Sequence, residues 1–499
     1  MKKYFLITVC SLLLLGSRLA YTQEPHRPAF HFSPQKGWMN DPNGMFYHEG
    51  VYHLFFQHYP DNTKWGPMHW GHATSPDMIN WTEQPIALYP DSLGYIFSGS
   101  AVVDFNNTSG FGKDGKTPIV AIYTNHSMEG ERAKRTDYQT QSIAYSLDNG
   151  KSWTKYEENP VIKNPGIVDF RDPKVIWYAP GNKWVMVLAT KDRITFYSSV
   201  NLKEWTRESD LGHDFGAHGG VWECPDLLPF EVKGKTRWVL LVSINPGGPN
   251  GGSATQYFTG DFDGSTFTPV DKEVRWMDYG TDNYAGVTFF NTGKRTLLMG
   301  WMSNWQYAQE VPTTAFRSAM TLPREMGLEK VNGHFYLTSR PAKEVENLLG
   351  ASRNSKNVNM DKTFEIASDA NGLFDVELTD LPKENFRVEL SNSLNEVLVI
   401  GYDQASNHYF IDRSESGKKD FEAGFGKKHE APRVSDKSKI NLRIIADRAS
   451  VEVFADDGLT VMTDIFFPNR PYSHIRLKTG KKTKVGGIRY AVVKPAKVH

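Results

Sequence analysis

Cysteine is almost missing from this chain, with 2 in 499 residues. One of them, Cys10, lies in an apolar stretch near the N-terminus. If that stretch is a cleaved leader, Cys224 is left alone and no internal disulfide can form. Stability must then come from a large buried core, which a chain of this length can supply. Net charge is missing too, because 57 basic residues balance 57 acidic ones. Nothing in that balance suggests a polyanionic partner such as nucleic acid. Beyond the leader no apolar run is long enough to cross a bilayer. Amphipathic helix patterns are nearly absent after residue 30.

Residues 1–22 read as a secretory signal. Lys2 and Lys3 give it a charged start, Tyr4 to Leu15 is mostly apolar, and small residues follow around Ala20. Val9 before Cys10 is not the small residue a lipoprotein signal prefers. The expectation is an exported protein, periplasmic, extracellular or at the cell surface.

What the chain has in quantity is aromatic residues, at 13% with 13 Trp and 22 Tyr. Strand-like runs separated by Gly, Asn, Asp and Pro fill residues 30–340. Five units recur, each a short strand, a turn and a strongly apolar second strand. They begin near Asn43, Ser100, Asp172, Asp226 and Ala285. A second echo follows three of them: Ser75-Pro76-Asp77 before Trp81, Ser146-Leu147-Asp148 before Trp153, and Ser199-Val200-Asn201 before Trp205. A fivefold recurrence of several strands predicts a five-bladed β-propeller over 26–345. A two-sheet sandwich for the same region would not explain the recurrence. Residues 355–499 keep a period of two, as in Phe374 to Leu378 and Ser450 to Phe454, but leave that register. They predict a β-sandwich. The Ser-, Asn- and Lys-rich stretch from Gly350 to Asp361 looks like the junction.

The repeat places acidic residues at corresponding points. Asp41 lies just before the first strand of unit one, within the turn-like run Asn40-Asp41-Pro42-Asn43-Gly44. Arg171-Asp172 opens unit three, and Glu223 precedes the strand of unit four. Phe97-Ser98 and Asp278-Tyr279 hold the matching places in units two and five. In a propeller such positions ring the axis, so three carboxylates should converge at one end of it. Converging acids repel and are costly unless function requires them. A carboxylate pair flanking a scissile bond is what glycoside hydrolysis needs.

Trp38-Met39-Asn40-Asp41-Pro42-Asn43-Gly44, Phe97-Ser98-Gly99-Ser100, Arg171-Asp172-Pro173 and Trp222-Glu223-Cys224-Pro225-Asp226 resemble the motif set of glycoside hydrolase family 32. That family contains invertases, inulinases and levanases. Asp447 to Phe454 is similar to a motif of the family's C-terminal sandwich. The resemblance implies a retaining β-fructofuranosidase acting on levan, inulin or sucrose, with exo-cleavage of terminal fructose as first choice. It implies Asp41 as nucleophile, Glu223 as acid/base and Asp172 as transition-state stabiliser beside Arg171. It implies a fructosyl pocket lined by Asn40, Gln57, Trp65, Phe97, Ser98 and Trp301, and it implies neither cofactor nor metal.

Several of these residues also have plainer readings. Asp172 could be a structural partner of Arg171, Gln57 could satisfy backbone groups, and Trp65 and Trp301 could be core aromatics. His53, His58, His69 and His72 invite a metal reading, but no cysteine or second ligand pair stands near His69-Trp70-Gly71-His72. They read as ordinary polar or substrate-lining groups. Gly247 to Gly252 lacks the Gly-Lys-Ser/Thr ending of a phosphate loop and reads as a flexible connection. Cys224 reads as a packing and tuning residue.

Overall fold

The computed structural model describes residues 24–497, so the leader expected at 1–22 lies outside the described residues. The described chain is built from strands, with one short helix, Met128–Arg132, and three 3-10 turns. Five antiparallel sheets of four or five strands come first, and two six-stranded sheets follow. The architecture is a five-bladed β-propeller joined to a β-sandwich.

Each blade is a meander whose first strand is innermost. These inner strands are Gly37–His48, Tyr95–Val103, Phe170–Tyr178, Val221–Val232 and Tyr284–Thr288. Each touches the next, and the fifth touches the first. Two devices close the ring. Phe316–Arg317 pairs in parallel with Gly37 and Trp38 of the first blade. Phe290 N–H donates to Met45 O at 2.9 Å, and Tyr47 N–H returns a bond of the same length to Phe290 O. Closure of this kind ties the first and fifth blades together.

The Ser/Asp/Trp echo marks the turn before the fourth strand of three blades. Side-chain oxygens of Ser75, Ser146 and Ser199 each accept from the backbone N–H two residues on, at 3.1, 3.3 and 3.1 Å. The indoles of Trp81, Trp153 and Trp205 each donate to the carbonyl three residues back. Side-chain acceptors that imitate a backbone turn explain why these residue types recur here.

The sandwich buries Phe374, Val376, Leu378, Val388, Leu390, Ile400, Ile444 and Leu477 between its two sheets. Residues 350–361 are not a linker. Leu349–Met360 is a 12-residue edge strand paired with Thr483–Val493. It is mostly exposed, and an edge strand rich in polar and charged residues resists pairing with other chains. Its composition therefore imitates that of a linker. The chain instead crosses between domains through a 3-10 turn at Lys343–Leu348, whose Val345 and Leu348 are buried.

The motif from Asp447 to Phe454 lies at the domain contact. Asp447 accepts the backbone N–H groups of Ala29 at 2.8 Å and Phe30 at 3.1 Å, and pairs with His31 Nδ1 at 2.8 Å. His31 Nε2 reaches Glu452 at 2.9 Å, and Glu452 also takes Arg324 at 2.6 Å. Burial works against the His31 charge, but the two carboxylates outweigh it and carry its pKa to about 9.

Candidate active site

Every inner strand is bulged near its start. The ladder skips between Met39 and Pro42, Ile96 and Gly99, Arg171 and Lys174, Glu223 and Asp226, and Tyr284 and Val287. A bulge bends a strand and re-aims its side chains. Here it turns Asp41, Ser98, Asp172 and Cys224 toward one another. Pro173 and Pro225 occupy unpaired positions, where a missing N–H forfeits no ladder bond. Asp172, Cys224 and Ala285 adopt left-handed backbone at φ 65°, 44° and 53°. Such conformations in non-glycine residues persist only where the surroundings impose them.

Two expectations are corrected by this geometry. Asn40 to Gly44 is not a turn ahead of a strand, because Gly37–His48 is one continuous strand and the turn-forming residues make its bulges. In blade five the place that Glu223 holds in blade four belongs to Tyr284, not to Asp278-Tyr279. Asp278 is buried below the ring, paired with Arg324 at 2.9 Å.

The three expected carboxylates line one cavity of about 300 Å³. Asp41 accepts from Asn40 Nδ2 at 2.9 Å, Ser98 Oγ at 2.7 Å and Cys224 Sγ at 3.3 Å. Asn40 is fixed in turn by the Trp38 indole at 2.7 Å. Asp172 accepts the Cys224 N–H at 3.0 Å and lies 3.6 Å from its Sγ. Arg171 reaches Asp172 only at 4.0 Å. It sits closer to Glu223, at 2.8 and 3.2 Å, and to Asp169, at 2.5 Å. The Tyr284 hydroxyl donates to the other oxygen of Glu223.

Electrostatics separates these groups. Burial, with Glu223 and Asp41 close by, pushes the Asp172 carboxyl up to about 7, against the pull of Arg171. Burial and the same carboxylates drive the Cys224 thiol far up, so it donates a hydrogen bond and is no thiolate nucleophile. Tyr284 is held as a neutral phenol by burial and Glu223. Burial and Arg171 lower His126 to about 4, which keeps it neutral.

Asn40, Gln57, Trp65, Phe97, Ser98 and Arg171 line the cavity as expected. Gln57 Nε2 is buried with no partner among the described residues, a free donor at the wall. Trp301 does not line it. Its ring is fully buried, with its centroid 5.0 Å from that of Trp305, and Trp305 supplies the lining face. The reading also missed His126, Glu131, Gln139, Asp169, Asn245 and Gln309 at the rim. Glu131 stands on the short helix of the second blade and Asn245 ends a strand of the fourth. No periodic signal marks such positions at the ends of short elements. The four clustered histidines lie apart from the lining. His53 meets His72 at 3.1 Å, His58 bonds Trp38 O and His69 bonds Pro67 O.

A buried ion pair also joins three inner strands. Lys174 Nζ reaches Asp226 at 3.1 Å and Thr288 O at 2.6 Å, all buried.

The glycosyl hydrolases family 32 N-terminal domain matches residues 31–341, and the family 32 C-terminal domain matches 339–493. The chain belongs to glycosyl hydrolase family 32. This family 32 enzyme is 46% identical to a levanase of Bacillus subtilis, over 96% of this chain and 71% of that one. It is 42% identical to the extracellular exo-inulinase of Aspergillus niger, over 96% of each. Among solved structures it resembles the exo-inulinase of Aspergillus awamori, with a TM-score of 0.86 and 39% identity over 95% of this chain and 99% of that one. The fructofuranosidase of Schwanniomyces occidentalis complexed with fructose matches at the same TM-score and 36% identity, over 94% and 99%. The chain is a glycoside hydrolase.

Proposed function

We propose that this enzyme is a retaining, exo-acting β-fructofuranosidase that removes terminal fructose from levan or inulin and also cleaves sucrose. The observation that carries the reading is that Asp41 and Glu223 line the same cavity of about 300 Å³. The relative named exo-inulinase, 42% identical over 96% of each chain, supports attack at a chain end. The volume of the cavity suits one sugar ring with part of its neighbour. The relatives named exo-inulinase and levanase agree with fructan as the substrate class.

Asp41 is the nucleophile in this reading. It attacks the anomeric carbon of the terminal fructosyl unit and forms an ester, while Glu223 gives a proton to the leaving oxygen. Glu223 then takes a proton from the water that splits the ester. Cys224 and Ser98 fix the Asp41 carboxylate, and their neutral donors direct the oxygen without quenching its charge. Asp172 and Gln57 face the sugar hydroxyls, where bonds that tighten in the oxocarbenium-like transition state lower the barrier. Trp65, Phe97 and Trp305 supply flat walls for the ring.

Incubation with sucrose, inulin and levan should release fructose from the start without transient oligosaccharides. Early oligosaccharides would convert the reading to endo-cleavage, and no fructose from any of the three would falsify it. With methanol as acceptor, a retaining enzyme gives the methyl β-fructoside, whereas the α-anomer would reveal inversion. The expected leader and the extracellular relatives together support export.

A further inference from the structure

The buried segment Asp278–Asn283 is polar and charged, which is unusual for a core position. It leads straight into the inner strand of blade five, and the next residue is Tyr284, the donor to Glu223. Much of what holds this segment comes from the other domain, chiefly from the sandwich strand Thr460–Ile465. Tyr279 N–H donates to Val461 O at 2.8 Å and Asp282 N–H to Thr463 O at 3.0 Å. In return Asp278 accepts from Thr463 N at 2.8 Å and Oγ1 at 2.6 Å, and Asp282 accepts Ile465 N–H at 2.9 Å. Thr281 N–H reaches Asp464 at 3.1 Å. A Cβ on Gly280 would come within 2.1 Å of the Thr463 backbone, so the two strands touch main chain to main chain.

A second anchor is Arg413, also from the sandwich. It donates to Asp282 at 2.7 Å and to the Tyr307 hydroxyl at 3.0 Å, and Tyr307 donates to Asp282 at 2.6 Å. All three are buried. The chemistry proposed above does not use this cluster. It borders the pocket wall, because Tyr307 lies in the turn that carries Trp305 and Gln309 and Asn304 Nδ2 donates to Thr281 O at 2.8 Å. Its link to Glu223 is through the backbone of Asn283 into Tyr284.

We propose that the sandwich domain is part of the positioning apparatus of the acid/base residue: the Arg413–Asp282 pair and the strand Thr460–Ile465 clamp the Asp278–Asn283 segment and so hold the Tyr284 hydroxyl on Glu223. The proposal rests on the assignment of Glu223 as acid/base. A phenol that donates to a carboxylate favours its ionised form. Glu223 is otherwise faced by Arg171 at 2.8 Å, by Asp169 through that arginine, and by Asp172, Asp41 and the neutral thiol of Cys224 across the ring. None of those contacts depends on the sandwich. A loosened clamp therefore withdraws one donor and leaves the rest in place.

The test is the pH profile of kcat/KM on sucrose for wild type, Tyr284→Phe, Asp282→Asn and the double variant. The basic limb reports loss of the acid's proton in the free enzyme. It should move to higher pH by about half a unit or more in Tyr284→Phe and by less in Asp282→Asn, with KM within about twofold. The double variant should shift no further than Tyr284→Phe alone, because both changes remove the same bond. An active Asp282→Asn enzyme whose limb stays at the wild-type pH, or whose shift adds to that of Tyr284→Phe, overturns the proposal. Where Asp282→Asn does not fold, Arg413→Lys, which keeps the charge but loses the fork, and Thr463→Val carry the same test with the same two outcomes. Wild-type activity on sucrose separately decides the functional reading on which the proposal stands.

Discussion

Two buried charge clusters in this molecule are built on opposite plans. At the domain contact each carboxylate meets a cation or a set of donors: His31 bridges Asp447 and Glu452, Arg324 joins Glu452 to Asp278, and Arg413 holds Asp282. At the propeller axis Asp41, Asp172 and Glu223 share one arginine, and Arg171 gives its closest contacts to Glu223 and Asp169. The first plan pairs each charge and lowers the pKa of Asp447 and of Glu452 against the cost of burial, although burial and Asp464 still raise Asp282 against the pull of Arg413. The second leaves acid repulsion standing and raises Asp172. Paired burial locks two domains together. Unpaired burial stores a proton and a carboxylate side by side, which structure alone would not favour.

The contrast can be broken at either end. The largest expected effect is on activity. Asp41→Asn should lower fructose release on the order of 10⁴-fold or more while leaving thermal unfolding nearly unchanged, measured by initial rates and calorimetry. Loss of stability with activity retained would mean that Asp41 belongs to the structural class. At the domain contact Glu452→Gln should do the reverse. Removing one partner from a buried pair costs about 3–5 kcal/mol, read from denaturant unfolding, with KM for sucrose unchanged in the enzyme that remains folded.

Smaller effects sharpen the same comparison through pH. The raised His31 pKa favours the folded state fully below pH 6.5, and that contribution is lost as pH rises toward about 9. His31→Gln should therefore lose roughly 3 kcal/mol at pH 6 and show a flatter decline between pH 6.5 and 9. The raised Asp172 pKa works in the same direction at lower pH. Wild type loses stability as pH climbs from about 4 to about 7, because the unfolded chain's carboxyl ionises there while the buried one keeps its proton. Asp172→Asn should melt higher than wild type above pH 7, with the gap closing toward pH 4, although its activity is lost. The smallest change tests the wall. Trp305→Ala should raise KM by about 1–3 kcal/mol in binding with little loss of kcat, whereas Trp301→Phe should act mainly on stability.

Much of the site was legible because motifs and repeat agreed. Asp41, Asp172 and Glu223 each stand in the inner strand of a separate unit, and the repeat alone pointed them to one axis. The Trp echo was equally readable, since each copy is a local turn made by its own Ser and Asp or Asn. Trp301 and Trp305 were not separable by pattern. They are four residues apart, and only packing against Trp38 decides which one presents its face. Tyr284 was hidden for a similar reason, because Asp278 and Tyr279 look like the better match to an acidic position.

By itself the sequence determined the strands, the fivefold recurrence and the identity and order of the acids, because alternation and turn chemistry are local and need no partner. Tertiary structure alone decided which side chain at each bulge looks into the pocket. One extra residue in a strand swings the following side chains to the other face, and the alternation on either side looks the same. It also decided that a polar stretch of residues 349–360 becomes a sheet edge and that Asp282 answers to Arg413, 131 positions away along the chain. Contacts at that separation exist only once both domains have folded against each other.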